Sequence, residues 1–285
     1  MRRSGRIWLI RTAVCLLCCL CLTGCVHAEM PEGVRVPILL YHHFSERGDG
    51  VTPETFELHM RALSEAGYEA VTVDQLVGYV EGEEELPERP VCITMDDGYL
   101  SNYETAWPVL ERYDMKATIF LIGSSVGHTE HYKDTEHPIT PHFSWEQGRE
   151  MVDSGVIDLQ CHTYDMHQWA PYETGDKVRE NALPLEGESE QAYTEALVED
   201  IEAFQSDYER ELGRSAYVFA YPGGQCSERS EEIVHSQGFS VTVTSDASRE
   251  NWIFKGDPES LYRLGRENIE ESVTAEELLQ IVEDA

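Results

Sequence analysis

The sequence has few positive charges. Lys and Arg together number 21 against 54 Asp and Glu, so the formal net charge is −33 at pH 7 over 285 residues. Nucleic-acid binding depends on clustered Lys and Arg that contact phosphates, and adhesion to anionic lipid depends on a basic face. The shortage of cations therefore argues against both classes of partner. The hydrophobic fraction of 41% is enough for a core, which favours an acidic globular protein over a disordered tail.

Long hydrophobic runs are also scarce. The apolar stretch 13–22 is too short to span a bilayer comfortably, and it follows four arginines, so it is typical of a secretory signal. Leu22-Thr23-Gly24-Cys25 resembles a bacterial lipobox, which predicts a signal peptide at 1–24 and lipidation of Cys25. Cleavage after Ala28 by an ordinary signal peptidase is the alternative. Both interpretations predict export, either to the extracellular face of the cell membrane as a lipoprotein or as a secreted protein, with no other membrane contact.

Cysteines are scarce outside this leader. Five of the eight lie in the leader or at its end, and only Cys92, Cys161 and Cys226 follow it. Three are too few for a disulfide framework, and no feature of the sequence pairs any two of them. We expect each to be a small core residue rather than a nucleophile or a metal ligand.

The body of the chain contains no internal repeat, and short apolar runs alternate with helical patterns. This alternation predicts an α/β fold built on a parallel sheet or barrel. The predicted strands are 36–41, 91–95, 116–122, 156–161, 216–220 and 240–244, and the predicted helices include one capped by Thr52, 103–112 and 190–212. No linker divides the body, so we predict a short tether at 25–33, a single domain at 34–285, and a monomer.

Two adjacent carboxylates follow a predicted buried strand. Asp96 and Asp97 come directly after 91–95, and the carboxyl ends of parallel strands form the edge where ligands bind in α/β folds. Neighbouring carboxylates repel each other, so both stay ionised only beside a positive group. An ordinary Asp-Gly turn at Asp97-Gly98 is the alternative.

Two histidines follow another predicted strand. His162 and His167 come after 156–161, and their five-residue spacing does not fit one face of a helix, so they belong to a strand end and the loop after it. Imidazole and carboxylate together suit zinc and neighbouring divalent metals, and three such ligands leave open positions for water and substrate. Each histidine alone is more typical of a surface or hydrogen-bonded residue, but the joint pattern predicts a metal site.

These segments resemble motifs of the polysaccharide deacetylase family, also called the NodB-homology family or carbohydrate esterase family four. The first family motif, T-F-D-D-G, is similar to Thr94-Met95-Asp96-Asp97-Gly98. The second, H-[ST]-x-x-H or a form one residue longer, is similar to the segment from His162 to His167. The longer form and Leu40-Tyr41-His42-His43 resemble the branch that deacetylates poly-N-acetylglucosamine. The resemblance covers about residues 34–268 and implies a distorted, partly open (β/α) barrel.

The resemblance also implies a role for each matching residue. Asp97, His162 and His167 would hold one divalent metal ion, with zinc expected first and cobalt, nickel or iron as alternatives. Asp96 would be the general base that takes a proton from the attacking water.

The chain departs from the third family motif. That motif, R-x-P-[YF], aligns with 220–223, so the backbone N–H of Gly223 would donate to the developing oxyanion, although an ordinary strand-ending turn would have the same sequence. Ala220 stands where many relatives have an Arg that holds the catalytic carboxylate. Arg263 or Arg266 is the candidate replacement, and an ordinary surface Arg is the alternative.

The general acid is the second departure. Relatives often place this histidine near the C-terminus, but the last histidine of this chain is His235. Because an amide anion is a poor leaving group, the amine needs a proton donor. His42 or His43 is the candidate, and strand alternation would point only one of them inward. The alternative is that both are surface or supporting residues.

The expected function is metal-dependent removal of N-acetyl groups from an N-acetylglucosamine-containing polysaccharide at the cell envelope. One alternative is O-acetyl esterase activity at the same site, since an ester leaving group needs less help from an acid. The other is a catalytically inactive carbohydrate-binding envelope protein. The presence of Asp96, Asp97, His162 and His167 together favours an enzyme.

Overall fold

The short apolar runs form strands of one parallel sheet. The computed structural model describes residues 33–173 and 177–285, so the predicted signal peptide, Cys25 and nearly all of the predicted tether lie outside the described residues. In this described part of the chain the sheet has eight strands, which are β2 (Ile38–Tyr41), β3 (Glu69–Val71), β4 (Pro90–Met95), β5 (Ala117–Leu121), β6 (Ile157–Cys161), β7 (Val218–Ala220), β8 (Val241–Val243) and β10 (Glu267–Asn268). Of these, β2, β4, β5 and β6 are buried on both faces, as is typical of parallel strands. A separate antiparallel pair consists of β1 (Val34–Arg35) and β9 (Trp252–Ile253).

The sheet curls so far that one chain segment contacts both of its edges. The strand order is β10-β2-β4-β5-β6-β7-β8, with β3 beside β4. Leu264 forms a parallel bridge with Val243 of β8, and three residues later Glu267 pairs with Leu39 of β2. The segment 264–268 therefore joins the two edge strands. This confirms the prediction of a distorted, partly open (β/α) barrel, and residues 33–285 form one compact unit.

Among the described residues, seven α-helices cover the sheet. They are α1 (Pro53–Glu65), α2 (Val73–Glu81), α3 (Trp107–Arg112), α4 (Trp145–Asp153), α5 (Glu190–Leu212), α6 (Glu228–Ser236) and α7 (Ala275–Asp284). Thr52 caps α1 as predicted, and its hydroxyl accepts a hydrogen bond from the Thr55 N–H. In place of the single predicted helix 103–112, the structure has a π-helical turn at Asn102–Ala106 that continues into α3. Such turns often occur at functional sites. No helix among residues 33–173 and 177–285 combines the length and apolar character needed to cross a bilayer.

Strand alternation divides the buried side chains into two groups. In β4, Ile93 and Met95 join the larger cluster under the helices, whereas Cys92 belongs to the smaller cluster on the concave face. Asp96 is an even number of residues after Cys92, so its side chain points to the same, concave face of the sheet. Cys92 and Cys161 are buried and Cys226 is half-buried, and all three are free thiols.

Candidate active site

The two carboxylates lie at a sharp turn that ends β4. Asp97 has a φ of 73° and Gly98 a φ of 82°, both in the left-handed region, so the chain reverses immediately after the strand. Asp tolerates this conformation better than most residues that carry a Cβ, but it still costs about 1–3 kcal/mol. Asp96 and Asp97 are nevertheless almost fully buried, at 3% and 6% exposed. Strained, buried carboxylates at a strand end are typical of a functional site.

The two histidines converge on the same point from β6. His162 directly follows the strand, and Thr163 after it also has a left-handed φ of 72°, which is unusual for a β-branched residue. Nε2 of His162 lies 3.6 Å from Oδ1 of Asp97, and Nε2 of His167 lies 3.8 Å from the same oxygen. The structure thus brings together the residues that the sequence predicts as metal ligands.

The hydrogen bonds of both rings direct Nε2 toward this point. Nδ1 of His162 lies 2.7 Å from the carbonyl oxygen of Ala220, and Nδ1 of His167 lies 3.1 Å from that of Glu180. A carbonyl only accepts hydrogen bonds, so each Nδ1 carries the proton and each Nε2 presents a lone pair. This is the usual support for metal-binding histidines. Burial, partly offset by Asp96 and Asp97, lowers the pKa of His162, which keeps its ring neutral and able to act as a ligand.

The donor set fits a divalent cation such as zinc. Asp97, His162 and His167 are the one group of His, Cys, Asp and Glu in the described part of the chain whose donor atoms lie close enough, within 4.8 Å of one another. Ligands about 2.0–2.1 Å from a tetrahedral zinc are separated by about 3.3 Å, close to the spacing found here. Oδ1 of Asp97 is buried with no hydrogen-bond partner among the described residues. An unpartnered buried carboxylate oxygen is costly, and a cation would satisfy it.

Arg266 gives Asp96 a different environment. The Arg266 guanidinium donates from Nη1 to Oδ1 at 2.6 Å and from Nη2 to Oδ2 at 2.8 Å, while its Nε donates to the Thr244 carbonyl. Burial alone would raise the pKa of Asp96, but the charge of Arg266, with smaller contributions from His162 and His42, outweighs burial and lowers it. Asp96 is therefore held ionised and in a fixed orientation.

Arg266 thus lies where the departure at Ala220 requires a cation. The other candidate, Arg263, is partly exposed and lies 3.6 Å from a Glu231 oxygen instead. Arg266 belongs to the segment that joins the two edges of the sheet, and this position directs its side chain into the barrel.

The two histidines after β2 differ in their surroundings. His43 hydrogen-bonds through Nδ1 to Ser101 Oγ at 2.9 Å, packs beside Tyr99, and has its pKa lowered by burial. His42 is exposed and has the parity of Ile38 on the concave face. Tyr41 pairs with Met95, so the next position along β2 lies beside Asp96. Of the two acid candidates, only His42 extends the concave face toward Asp96.

Gly223 lies at the same rim of the barrel. It follows β7 in a short 3-10 turn, Pro222–Gly224, with a left-handed φ of 59°. The carbonyl of Ala220, three residues earlier, accepts the hydrogen bond from His162. The turn therefore adjoins His162, one of the predicted metal ligands.

Several residues that support the site were not identified from the sequence. Asp200 on α5 is buried and accepts backbone hydrogen bonds from Tyr164 and Asp165, both at 2.7 Å, so it holds the loop between the two histidines. Asn102 in the π-helical turn donates to the His42 carbonyl at 2.8 Å. Tyr99 and His142, whose rings are 4.9 Å apart, line a cavity together with Asp97. None of these contacts follows from local sequence.

Comparison with known proteins agrees with this geometry. Residues 83–242 match the family model described as polysaccharide deacetylase. The Bacillus subtilis (strain 168) protein YxkH, which bears the name polysaccharide deacetylase, is 30% identical over 234 residues, covering 80% of this chain and 71% of that protein. The poly-beta-1,6-N-acetyl-D-glucosamine N-deacetylase of Escherichia coli (strain K12) is 24% identical over 208 residues, covering 66% of this chain but 30% of the enzyme.

A solved structure shows the same fold. IcaB from Ammonifex degensii superimposes with a TM-score of 0.68 and 28% sequence identity, covering 88% of this chain and 97% of that one. The family match spans more than half of the chain, and it includes the strands that carry both carboxylates and both histidines. This chain is a member of the polysaccharide deacetylase family.

Proposed function

We propose that this protein is a metal-dependent hydrolase that removes N-acetyl groups from an N-acetylglucosamine-containing polysaccharide at the cell envelope. The observation that carries the proposal is the convergence of one buried, unpartnered Asp97 oxygen with the Nε2 atoms of His162 and His167. A binding protein would not need three metal-ligand donors beside a second, separately held carboxylate. Membership of the family and the relatives named as N-deacetylases support the same reaction.

In this proposal the two carboxylates have separate tasks. Asp97, His162 and His167 hold one divalent ion, with zinc as the first expectation, and such an ion supplies Lewis-acid chemistry toward a carbonyl and activates water. Asp96 is the general base that accepts a proton from the attacking water. Arg266 keeps both Asp96 oxygens in position and keeps the carboxylate ionised.

The remaining steps use groups at the same rim. The backbone N–H of Gly223 is the proposed donor to the oxyanion that forms when water adds to the acetyl carbonyl. His42 is the proposed acid that protonates the departing amine, because it shares the concave face with Asp96 and its own ring is exposed to the substrate side. His43 is the matched control, because its ring hydrogen-bonds to Ser101 and packs against Tyr99. Substitution of His42 by Ala should reduce kcat on amides far more than substitution of His43.

Acetate release from defined substrates tests this function. We expect the purified protein to release acetate from β-1,6-linked N-acetylglucosamine oligomers, and Asp97→Ala to abolish both release and bound metal. Faster release from O-acetylated xylan than from the oligomers would favour the esterase alternative, for which the missing C-terminal histidine is the supporting observation. Oligomer binding without release of acetate from either substrate would indicate a carbohydrate-binding protein.

Export belongs to the proposal as well. The apolar stretch after four arginines and the lipobox-like segment ending at Cys25 support a protein anchored by lipid outside the cell membrane or secreted. In cells fed a labelled fatty acid, we expect the full chain to carry label in the membrane fraction and Cys25→Ser to lose it. Unlabelled wild-type protein in the culture medium would instead indicate cleavage after Ala28.

A further inference from the structure

The rim that carries the predicted metal ligands opens into a cavity that aromatic side chains also line. The cavity has a volume of about 390 Å³, within the range of small-molecule sites. Its lining includes Asp97 and His167 and also the rings of Trp169 and Tyr172, which form the aromatic wall. Because predicted metal ligands and these rings line one cavity, a molecule bound at the metal ligands lies beside the aromatic wall.

Trp169 is exposed in a way that packing does not explain. It is 59% exposed, and among the described residues only Leu58 and Trp252 are other large hydrophobic side chains with substantial exposure. Its neighbour Tyr172 is backed by His137, whose ring stacks on it at 4.5 Å with an angle of 8° between the planes. The Trp169 and Tyr172 ring centres are 6.3 Å apart. The two rings form a supported apolar surface that is open to solvent.

A partly buried set of ionic contacts fixes this wall relative to the predicted metal ligands. The Lys133 ammonium contacts the Asp165 carboxylate at 2.8 Å and Glu173 at 2.6 Å, and the Tyr132 hydroxyl also donates to Glu173 at 2.6 Å. Lys133 lies on the long loop between β5 and α4, whereas both acids lie on the long loop between β6 and α5, Asp165 between the two histidines and Glu173 after Trp169. The contacts therefore join the two long loops, so that the aromatic wall is held in place before any ligand binds.

The chemistry of the cavity matches a sugar ring. A pyranose has apolar C–H faces, which are stabilised by packing on aromatic rings, and a polar edge of hydroxyl groups that needs hydrogen bonds. Gln168, Thr140 and Ser125 add polar groups to the lining of the cavity. A long acyl chain would leave these groups without partners, and the pairing of Lys133 with Asp165 and Glu173 leaves little net positive charge for an anion.

We propose that Trp169 and Tyr172 form a subsite for the pyranose ring next to the one that is deacetylated. This inference rests on the proposed function and extends it, because it makes the enzyme selective for oligomers over single sugars. Lys133, Asp165 and Glu173 position the subsite without contacting the reacting atoms.

Substrate length separates the subsite from the catalytic centre. Trp169→Ala should raise KM for a β-1,6-linked N-acetylglucosamine pentamer about tenfold, equivalent to about 1.4 kcal/mol, with kcat within about twofold of wild type. p-Nitrophenyl acetate is too small to contact the aromatic wall while it reacts at the metal ligands. In Trp169→Ala its rate of hydrolysis should therefore stay within about twofold of the wild-type rate. Tyr172→Ala should have the same effects on KM, kcat and p-nitrophenyl acetate hydrolysis as Trp169→Ala. The control is Trp252→Ala, because Trp252 is 45% exposed but lies on β9, whose partner β1 precedes the amino end of β2.

Direct measurement of oligomer binding tests the subsite separately from the proposed deacetylase function. In the Asp96→Asn background, titration calorimetry should show about tenfold weaker pentamer binding for Trp169→Ala and no change for Trp252→Ala. An unchanged KM and Kd in Trp169→Ala, an equal effect of Trp252→Ala, or an equal loss on p-nitrophenyl acetate would overturn the subsite. If wild type released no acetate from any oligomer, the proposed function would fail, whereas the binding comparison would still judge the subsite.

Discussion

Asp96 and Asp97 are adjacent in the chain, yet their surroundings prepare them for different chemistry. Both Asp96 oxygens accept from Arg266, whereas Oδ1 of Asp97 has no partner among the described residues and faces two imidazole nitrogens. The left-handed turn at Asp97 lets two consecutive side chains reach different partners. One dipeptide therefore presents two differently held carboxylates, as the proposed base and the proposed metal ligand require.

Arg266 should control kcat rather than metal binding. Arg266→Lys keeps the charge but loses the two-pronged contact, so we expect kcat to fall about tenfold or more with bound metal unchanged. Arg266→Gln removes the charge that lowers the pKa of Asp96, so the pKa should rise. The base would then ionise only at higher pH, and the acidic limb of the kcat/KM profile should move upward. Loss of metal, or an unshifted limb in Arg266→Gln, would contradict this role.

At the scale of elements, α5 positions the loop that carries both histidines. Asp200 accepts from two backbone N–H groups of that loop, Tyr164 and Asp165, and burial raises its pKa to about 6 against the opposing effect of these bonds. The loop thus depends on a helix that begins more than twenty residues after His167.

Asp200→Asn should therefore weaken metal binding. The amide nitrogen of Asn would face a backbone N–H, so at least one loop bond is lost, and we expect the Kd for zinc to rise about tenfold, as for other groups that support metal ligands. At saturating metal, kcat should stay near wild type. Glu202→Gln is the matched control, since Glu202 lies on the exposed side of α5. Competition with a chromogenic chelator measures both, and equal Kd values in the two variants would exclude the positioning role.

Local sequence signals predict some elements well. The helix at about 190–212 is predicted because apolar residues repeat along one face. In the structure Ser189 caps this helix and Gly213 ends it in a left-handed conformation. α2 and α4 were missed, although their capping boxes, Thr72 with Gln75 and Ser144 with Gln147, were readable signals.

Some residues of the candidate site are likewise predictable from local sequence and others are not. Its carboxylates and histidines are predictable because they follow recognisable strands. Which arginine pairs with Asp96 is not predictable, since that contact joins residues 170 positions apart and depends on how the barrel closes. The link from Asp200 to the histidine loop is equally remote from local pattern.

For the whole molecule, acid should reduce stability through His142. Burial lowers its pKa to about 4, whereas the unfolded chain titrates near 6.5. Between these values the unfolded state binds a proton that the native state does not, so stability is full above pH 6.5 and falls toward pH 4. The stability advantage of wild type over His142→Asn should shrink by about 2–3 kcal/mol between pH 7 and pH 4.5 in urea titrations. A constant difference would contradict this assignment.

The measurement that tests the central claim most directly is metal content against acetate release in one titration. The chelated protein should be inactive on N-acetylglucosamine oligomers and regain activity in proportion to added zinc, with a break at one ion per chain. Asp97→Asn and His162→Gln should neither bind that ion tightly nor recover, while the His43→Ala control should do both. Full acetate release by the metal-free protein, or an undiminished zinc affinity in Asp97→Asn, would contradict the account.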